Sequence, residues 1–140
     1  MERNEIITLA FSRPIDPELI STGDINQATR TYVNRYIADV DNAFLALSAT
    51  KDVIAYGVAF DLFDRIDLTI SDRGIYKLSI EGTAPVNDID KMKLRGAMYR
   101  RLIQAMRYMI ERAEEEGYTT RNESEVGLNI VSSKSTSTSL

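Results

Sequence analysis

A chain of 140 residues, 44% hydrophobic and 27% charged, has the proportions of one ordinary folded domain with a modest core. It contains neither cysteine nor histidine, which excludes disulfides, thiolate nucleophiles, sulfur-ligated metals and any reaction built on an imidazole. Its net charge of −4 is unevenly spread, with 8 Lys/Arg against 15 Asp/Glu in residues 1–90 and 9 against 6 in residues 91–140. Two consequences stay open: the halves attract other copies head to tail, or they neutralise each other within one fold.

Residues 1–11 carry Ile6, Ile7, Leu9 and Phe11 in a short mixed stretch, expected to pair as an edge strand or to form an anchored arm over residues 1–14. The acidic start lacks an apolar run behind a basic head, so it does not read as a secretory signal and a cytoplasmic chain is expected. Pro14 and Pro17 break a helix, although Pro17 suits the opening of a single turn through Ile20. Ser21 and Asp24 stand three apart as in a capping box, and Ile25, Ala28, Tyr32, Val33, Tyr36 and Ile37 then recur along one helical face.

A short second helix is expected over residues 42–47, with Phe44 and Leu47 inward. A third starts near Thr50 and Asp52, with Val53, Tyr56, Phe60, Phe63 and Ile66 on its buried side. Gly57 inside it suggests a close helix approach. The longest uncharged run, residues 42–50, falls far short of the ~20 residues that span a bilayer. From Thr69 the period changes. A hairpin is expected over about residues 69–80, turning at Ser71, Asp72, Arg73 and Gly74.

Asn87 is a good N-cap for a last helix running to Glu116 and closed by Gly117. Met92, Tyr99, Leu102, Ile103, Met106, Met109, Ile110 and Ala113 fall on about a third of its circumference, taking ~100° per residue. Outside that stripe Lys93, Arg100 and Arg107 lie seven apart, flanked by Arg101 and Arg112. A face kept only for solubility usually mixes its signs, so two readings stand here, a binding face and, second to it, a merely solvated one. Residues 118–140 read as an extended arm: Val126, Leu128 and Ile130 alternate like one strand, and seven of the last nine residues are Ser or Thr.

Nothing here assembles into catalytic machinery. Asp61, Asp64 and Asp67 recur every three residues, which fans them about 60° apart at each step around a helix, and Arg65 is a local partner for Asp61. No phosphate-binding loop and no nucleophile–base pair is present, so no enzyme activity, metal or cofactor is expected. The basic stripe suits phosphates, but the acidic balance and the lack of a helix-turn-helix spacing argue against sequence-specific DNA binding. A helical protein-binding module, such as an adaptor or antitoxin-like regulator, is a second reading.

One family fits the order of the parts. Asp24-Ile25-Asn26-Gln27-Ala28 running to Tyr36-Ile37, Val53-Ile54-Ala55-Tyr56, Ile70-Ser71-Asp72-Arg73-Gly74-Ile75 and the run from Tyr99 to Tyr108 resemble the head–tail connector (adaptor) proteins of tailed bacteriophages. The likeness covers about residues 15–117. It implies a small helical bundle with a hairpin before a long last helix, and terminal segments that reach onto neighbours. It also implies a ring, typically of twelve copies, beneath the portal in the virion neck. The ring extends the DNA channel toward the tail and catalyses nothing. On that footing the interface residues are expected to be Lys93, Arg100, Arg101, Arg107 and Arg112 on the helix, Arg73 and Tyr76 in the hairpin, and Val126, Leu128 and Ile130 in the arm.

Overall fold

The computed structural model describes residues 1–11, 15–69 and 88–121, with the side chains of residues 65–69 and 88–91 outside that description. These residues are mainly helical and contain no strand, only an isolated antiparallel bridge between Ile37 and Thr120. Five helices succeed one another: α1 (Arg3–Ala10), α2 (Thr22–Thr29), α3 (Asn42–Leu45), α4 (Ser48–Thr69) and α5 (Asp88–Glu115). None is long and apolar enough to cross a membrane.

The first segment departs from its expected form. It is a helix, with Ile6 and Ala10 buried, in place of the edge strand or anchored, extended arm expected. With no strand among the described residues to pair with, the helix satisfies the backbone locally, and Glu5 secures it twice. Its carboxylate accepts from the Glu2 N–H at 3.3 Å and from Lys51 Nζ on α4 at 3.0 Å. These two bonds, that from Lys51 the stronger, hold the Glu5 carboxyl below the usual range.

Pro17–Leu19 forms the expected single turn, capped by Asp16 Oδ1 on the Glu18 N–H at 3.0 Å. The capping box opens α2: Ser21 Oγ accepts from Asp24 N at 3.0 Å, and Asp24 Oδ2 accepts from Ser21 N at 2.8 Å. Beyond Thr29 the helix loosens into a π turn over Arg30–Asn34, and Val33, Tyr36 and Ile37 are buried behind it. Asp41 caps α3, which buries Phe44.

The core is organised around α4, which begins two residues before its expected start. Val53, Ile54, Ala55, Val58, Ala59, Phe60, Leu62 and Phe63 are all buried, so this helix is apolar on nearly every side. That suits a helix enclosed by α1, α2 and α5. Gly57 permits the closest approach. Tyr32 from the π turn lays its ring over the glycine, and a Cβ there would stand 2.7 Å from Tyr32 Cε2. One turn on, the Tyr32 hydroxyl donates to Asp61 Oδ1 at 2.6 Å. Burial first, then that bond, pushes the Tyr32 hydroxyl well above its ordinary pKa, so it remains a donor.

Asp64 meets Arg95, Phe60 meets Tyr99 and Tyr56 meets Arg101, so α5 runs antiparallel to α4. Leu102, Met106, Met109, Ile110 and Ala113 form its buried side. It ends in a Schellman arrangement: Tyr118 N donates to Ala113 O at 2.8 Å, Gly117 N donates to Glu114 O at 3.2 Å, and Gly117 sits at φ 86°.

Two expected boundaries move. Residues 118–121, expected in the arm, belong to the domain, and the rest of that span lies outside the described residues. Thr119 O accepts from Ala38 N at 2.9 Å, and Arg121 N donates to Tyr36 O at 2.7 Å. Tyr118 also packs its ring 4.7 Å from that of Phe44. The first residue assigned to the hairpin, Thr69, is the last of α4, and the rest of that span lies outside the described residues. Arg73, Tyr76, Val126, Leu128 and Ile130 lie outside them as well.

Candidate functional site

A helix of 28 residues presents more surface than this small core can cover. The basic residues of α5 divide by what the core does with them. Arg95 clamps the far end of α4: its Nε lies 2.6 Å from Asp64 Oδ1, its Nη2 3.0 Å from Asp64 Oδ2, and its guanidinium 4.8 Å from the centre of the Phe60 ring. The carboxylate raises the pKa of Arg95 further, fixing its charge.

Arg101, expected to flank the outward stripe, turns inward. Its Nη2 donates to Ala10 O at 2.9 Å, and its guanidinium stacks 4.3 Å over the Tyr56 ring. Ala10 is the last residue of α1, whose last turn has no basic residue of its own. Arg101 therefore supplies the cation that a helix C-terminus favours. Arg112 is occupied too, with Glu115 at 3.4 Å and Glu116 at 3.3 Å.

Among the described side chains Lys93, Arg100 and Arg107 remain. They are exposed and have no hydrogen-bond or ion-pair partner among the described residues. Seven residues apart, they recur about every 10 Å along the helix. Beside them stand Met92, 75% exposed, Tyr99, 48% exposed, and Tyr108, 55% exposed. Met92 and Tyr99, both expected inside, are therefore largely outside. Tyr99 packs one side of its ring on Phe60 at 5.6 Å and leaves the rest open, and Met92 lies a turn beyond the Arg95–Asp64 clamp. The outer surface is thus cationic, with exposed aromatic and thioether side chains to either side of the charges, a composition suited to a protein surface rich in carboxylates or to phosphates.

The carboxylates of α4 do other work. Asp61 accepts from Tyr32 and Asp64 holds Arg95, while the side chains of Arg65 and Asp67 lie outside the description. Among the described residues no three His, Cys, Asp or Glu side chains gather as a metal site. Tyr108 is absent from the expected interface; counting ~100° per residue places it about a quarter turn from the basic stripe. Arg95 stands in the same basic run with nothing local to reveal its partner 31 residues away. No family model, curated protein or solved structure matches this chain.

Proposed function

We propose that this chain is a structural subunit of a ring in the neck of a tailed bacteriophage, joining portal to tail and extending the DNA channel. Support comes from the order of segments that resembles connector proteins, and one observation carries it. Three cations on a long helix, Lys93, Arg100 and Arg107, stay exposed without an internal partner among the described residues, whereas Arg95, Arg101 and Arg112 beside them are engaged. A fold that neutralised its own halves would use these charges as well. In the proposed ring they face outward to a neighbour, and the role is mechanical, with no bond made or broken.

Twelve is the copy number the resemblance brings. The residues from 122 onward would reach an adjacent subunit or the portal, with Val126, Leu128 and Ile130 adding a strand to a partner's sheet edge. Imaging of purified phage particles carrying a tagged chain tests the assignment. Label at the head–tail junction is the expected result. A chain that is absent from finished particles, or that lies on the capsid or the tail tip, contradicts it.

A further inference from the structure

Along the outer side of α5, Lys93, Ala97, Arg100, Gln104 and Arg107 follow one another at alternating steps of four and three, and all are exposed. At ~100° per residue they stay within about 80° of one another, a nearly straight strip. Steps of four and three mark the seam of a helix that receives a second helix, where a side chain of one enters a hole framed by four residues of the other. Two such holes stand open. Lys93 and Arg100 bound the first, which is floored by Gly96 and Ala97; Arg100 and Arg107 bound the second, floored by Ile103 and Gln104. Gly96 leaves its floor bare: a methyl there would meet only Arg100 Nη1, at 3.4 Å, the movable end of a long side chain. Each hole thus has an uncharged floor and a cation at both ends. Glu111, one turn beyond Arg107, closes the basic stretch. The exposed Met92 and Tyr99 lie about a quarter turn to one side of the strip, and Tyr108 about a quarter turn to the other.

We infer that this strip receives a helix of a different protein, one that carries carboxylates seven residues apart with small or apolar side chains between them. The inference rests on the reading above that the stripe faces a neighbour, and it names that neighbour's chemistry. Carboxylates seven apart recur about every 10 Å along a helix, in step with Lys93, Arg100 and Arg107, and the side chains between them enter the uncharged floors. A second copy does not supply such a helix. Among the described helices no two carboxylates stand seven apart, and Asp61 and Asp64 on α4 are engaged by Tyr32 and Arg95. Nucleic acid would use the charges and ignore the floors, since a phosphate has no side chain to seat over Gly96. Met92, Tyr99 and Tyr108 supply apolar contact at the edges, because exposed charge pairs alone are weak.

The probe is a synthetic helical peptide with Glu at every seventh position and Ala or Leu between the Glu residues on the same face. A peptide of the same composition in scrambled order is its control, and fluorescence anisotropy reads binding to the full chain. The ordered peptide should bind about tenfold or more tightly than the scrambled one at low salt, and lose affinity as salt rises. Lys93→Glu/Arg100→Glu/Arg107→Glu should lose this binding and gain it toward a peptide with Lys in place of Glu. Gly96→Leu fills a floor and should weaken binding about tenfold, with circular dichroism confirming that the helices remain. Equal binding of the two peptides overturns the inference, as does a Gly96→Leu chain that binds as well as wild type. Duplex DNA that binds through the same three cations while the ordered peptide does not assigns the face to nucleic acid and overturns it too. The assay needs no assembly, so the two readings fail separately. A chain that forms the ring yet ignores the ordered peptide overturns this inference alone, and one that binds the peptide but stays monomeric with and without the portal overturns the ring alone.

Discussion

The Tyr118 hydroxyl donates a 2.6 Å hydrogen bond to Asp41 Oδ1, the same oxygen that accepts the Phe44 N–H at 2.9 Å and caps α3. One carboxylate oxygen thus ties the chain leaving the last helix to a loop 77 residues earlier. The segment around this bond belongs to the fold, and the proposed partner-binding arm starts beyond it.

Truncation separates the two. Removing residues 125–140 should leave the helical core folded and cooperative, with attachment to neighbours or portal weakened. Removing residues 118–140 deletes the stacking on Phe44 and the bond to Asp41, and should lower Tm by several degrees. Equal Tm values for the two truncations contradict this boundary.

The bond also sets a pH dependence. Its donation to Asp41, with the Phe44 N–H second, holds the carboxyl below its ordinary pKa. A depressed folded-state pKa adds stability that is present above the unfolded value, near ~4, and is lost as pH falls through the folded value. Tyr118→Phe should therefore be less stable than wild type at neutral pH, with the gap narrowing toward acid. Thermal melts from neutrality to strong acid check it, and a gap that does not change with pH counts against the bond.

Gly57 and Gly96 make a matched pair. Ala ordinarily stabilises a helix interior over Gly by about 1 kcal/mol. At Gly96 only Arg100 Nη1, the end of a flexible side chain, lies 3.4 Å from the new methyl, so Gly96→Ala should stabilise. At Gly57 the methyl runs into the Tyr32 ring, and Gly57→Ala should cost about 1–3 kcal/mol. Chemical denaturation measures both. If both stabilise, the Tyr32 ring does not rest on α4.

Arg101 and its neighbours separate structural from outward cations. Arg101→Ala loses the bond to Ala10 O and the stacking on Tyr56, and should destabilise by about 2 kcal/mol. Arg100→Ala and Arg107→Ala should each stay within about 0.5 kcal/mol of wild type. An Arg101→Ala protein as stable as these two contradicts the division.

Metal should not matter to the fold. Asp61 holds Tyr32 and Asp64 holds Arg95, so Tm should be unchanged by chelator or by added Mg²⁺, while Asp61→Ala should lower it. A Tm raised by Mg²⁺ and insensitive to it in Asp61→Ala would make the carboxylate a ligand.

The features legible in the sequence are local. The Ser21–Asp24 capping box, the single turn at Pro17 and the stop at Gly117 all depend on a few adjacent residues, and each stands where expected. The first segment misleads because eight residues are too few for periodicity to separate strand from helix, and its helix is secured by Lys51 and Arg101 from distant parts of the chain. Of the site, Lys93, Arg100 and Arg107 are legible from their spacing. The inward turn of Arg101 is not, because its acceptor is a backbone carbonyl 91 residues away. Tyr99 and Met92 sit on the apolar stripe by angle alone, and angle does not tell how far along a helix its partner reaches.

The central claim is that this chain is a ring-forming subunit of a phage neck. The mass of the full-length protein in solution, measured by light scattering over a range of concentration, alone and with an assembled portal, tests it most directly. A closed assembly of many copies that forms on, or binds to, the portal ring is the expected result. A protein that remains monomeric at every concentration and does not associate with the portal contradicts it.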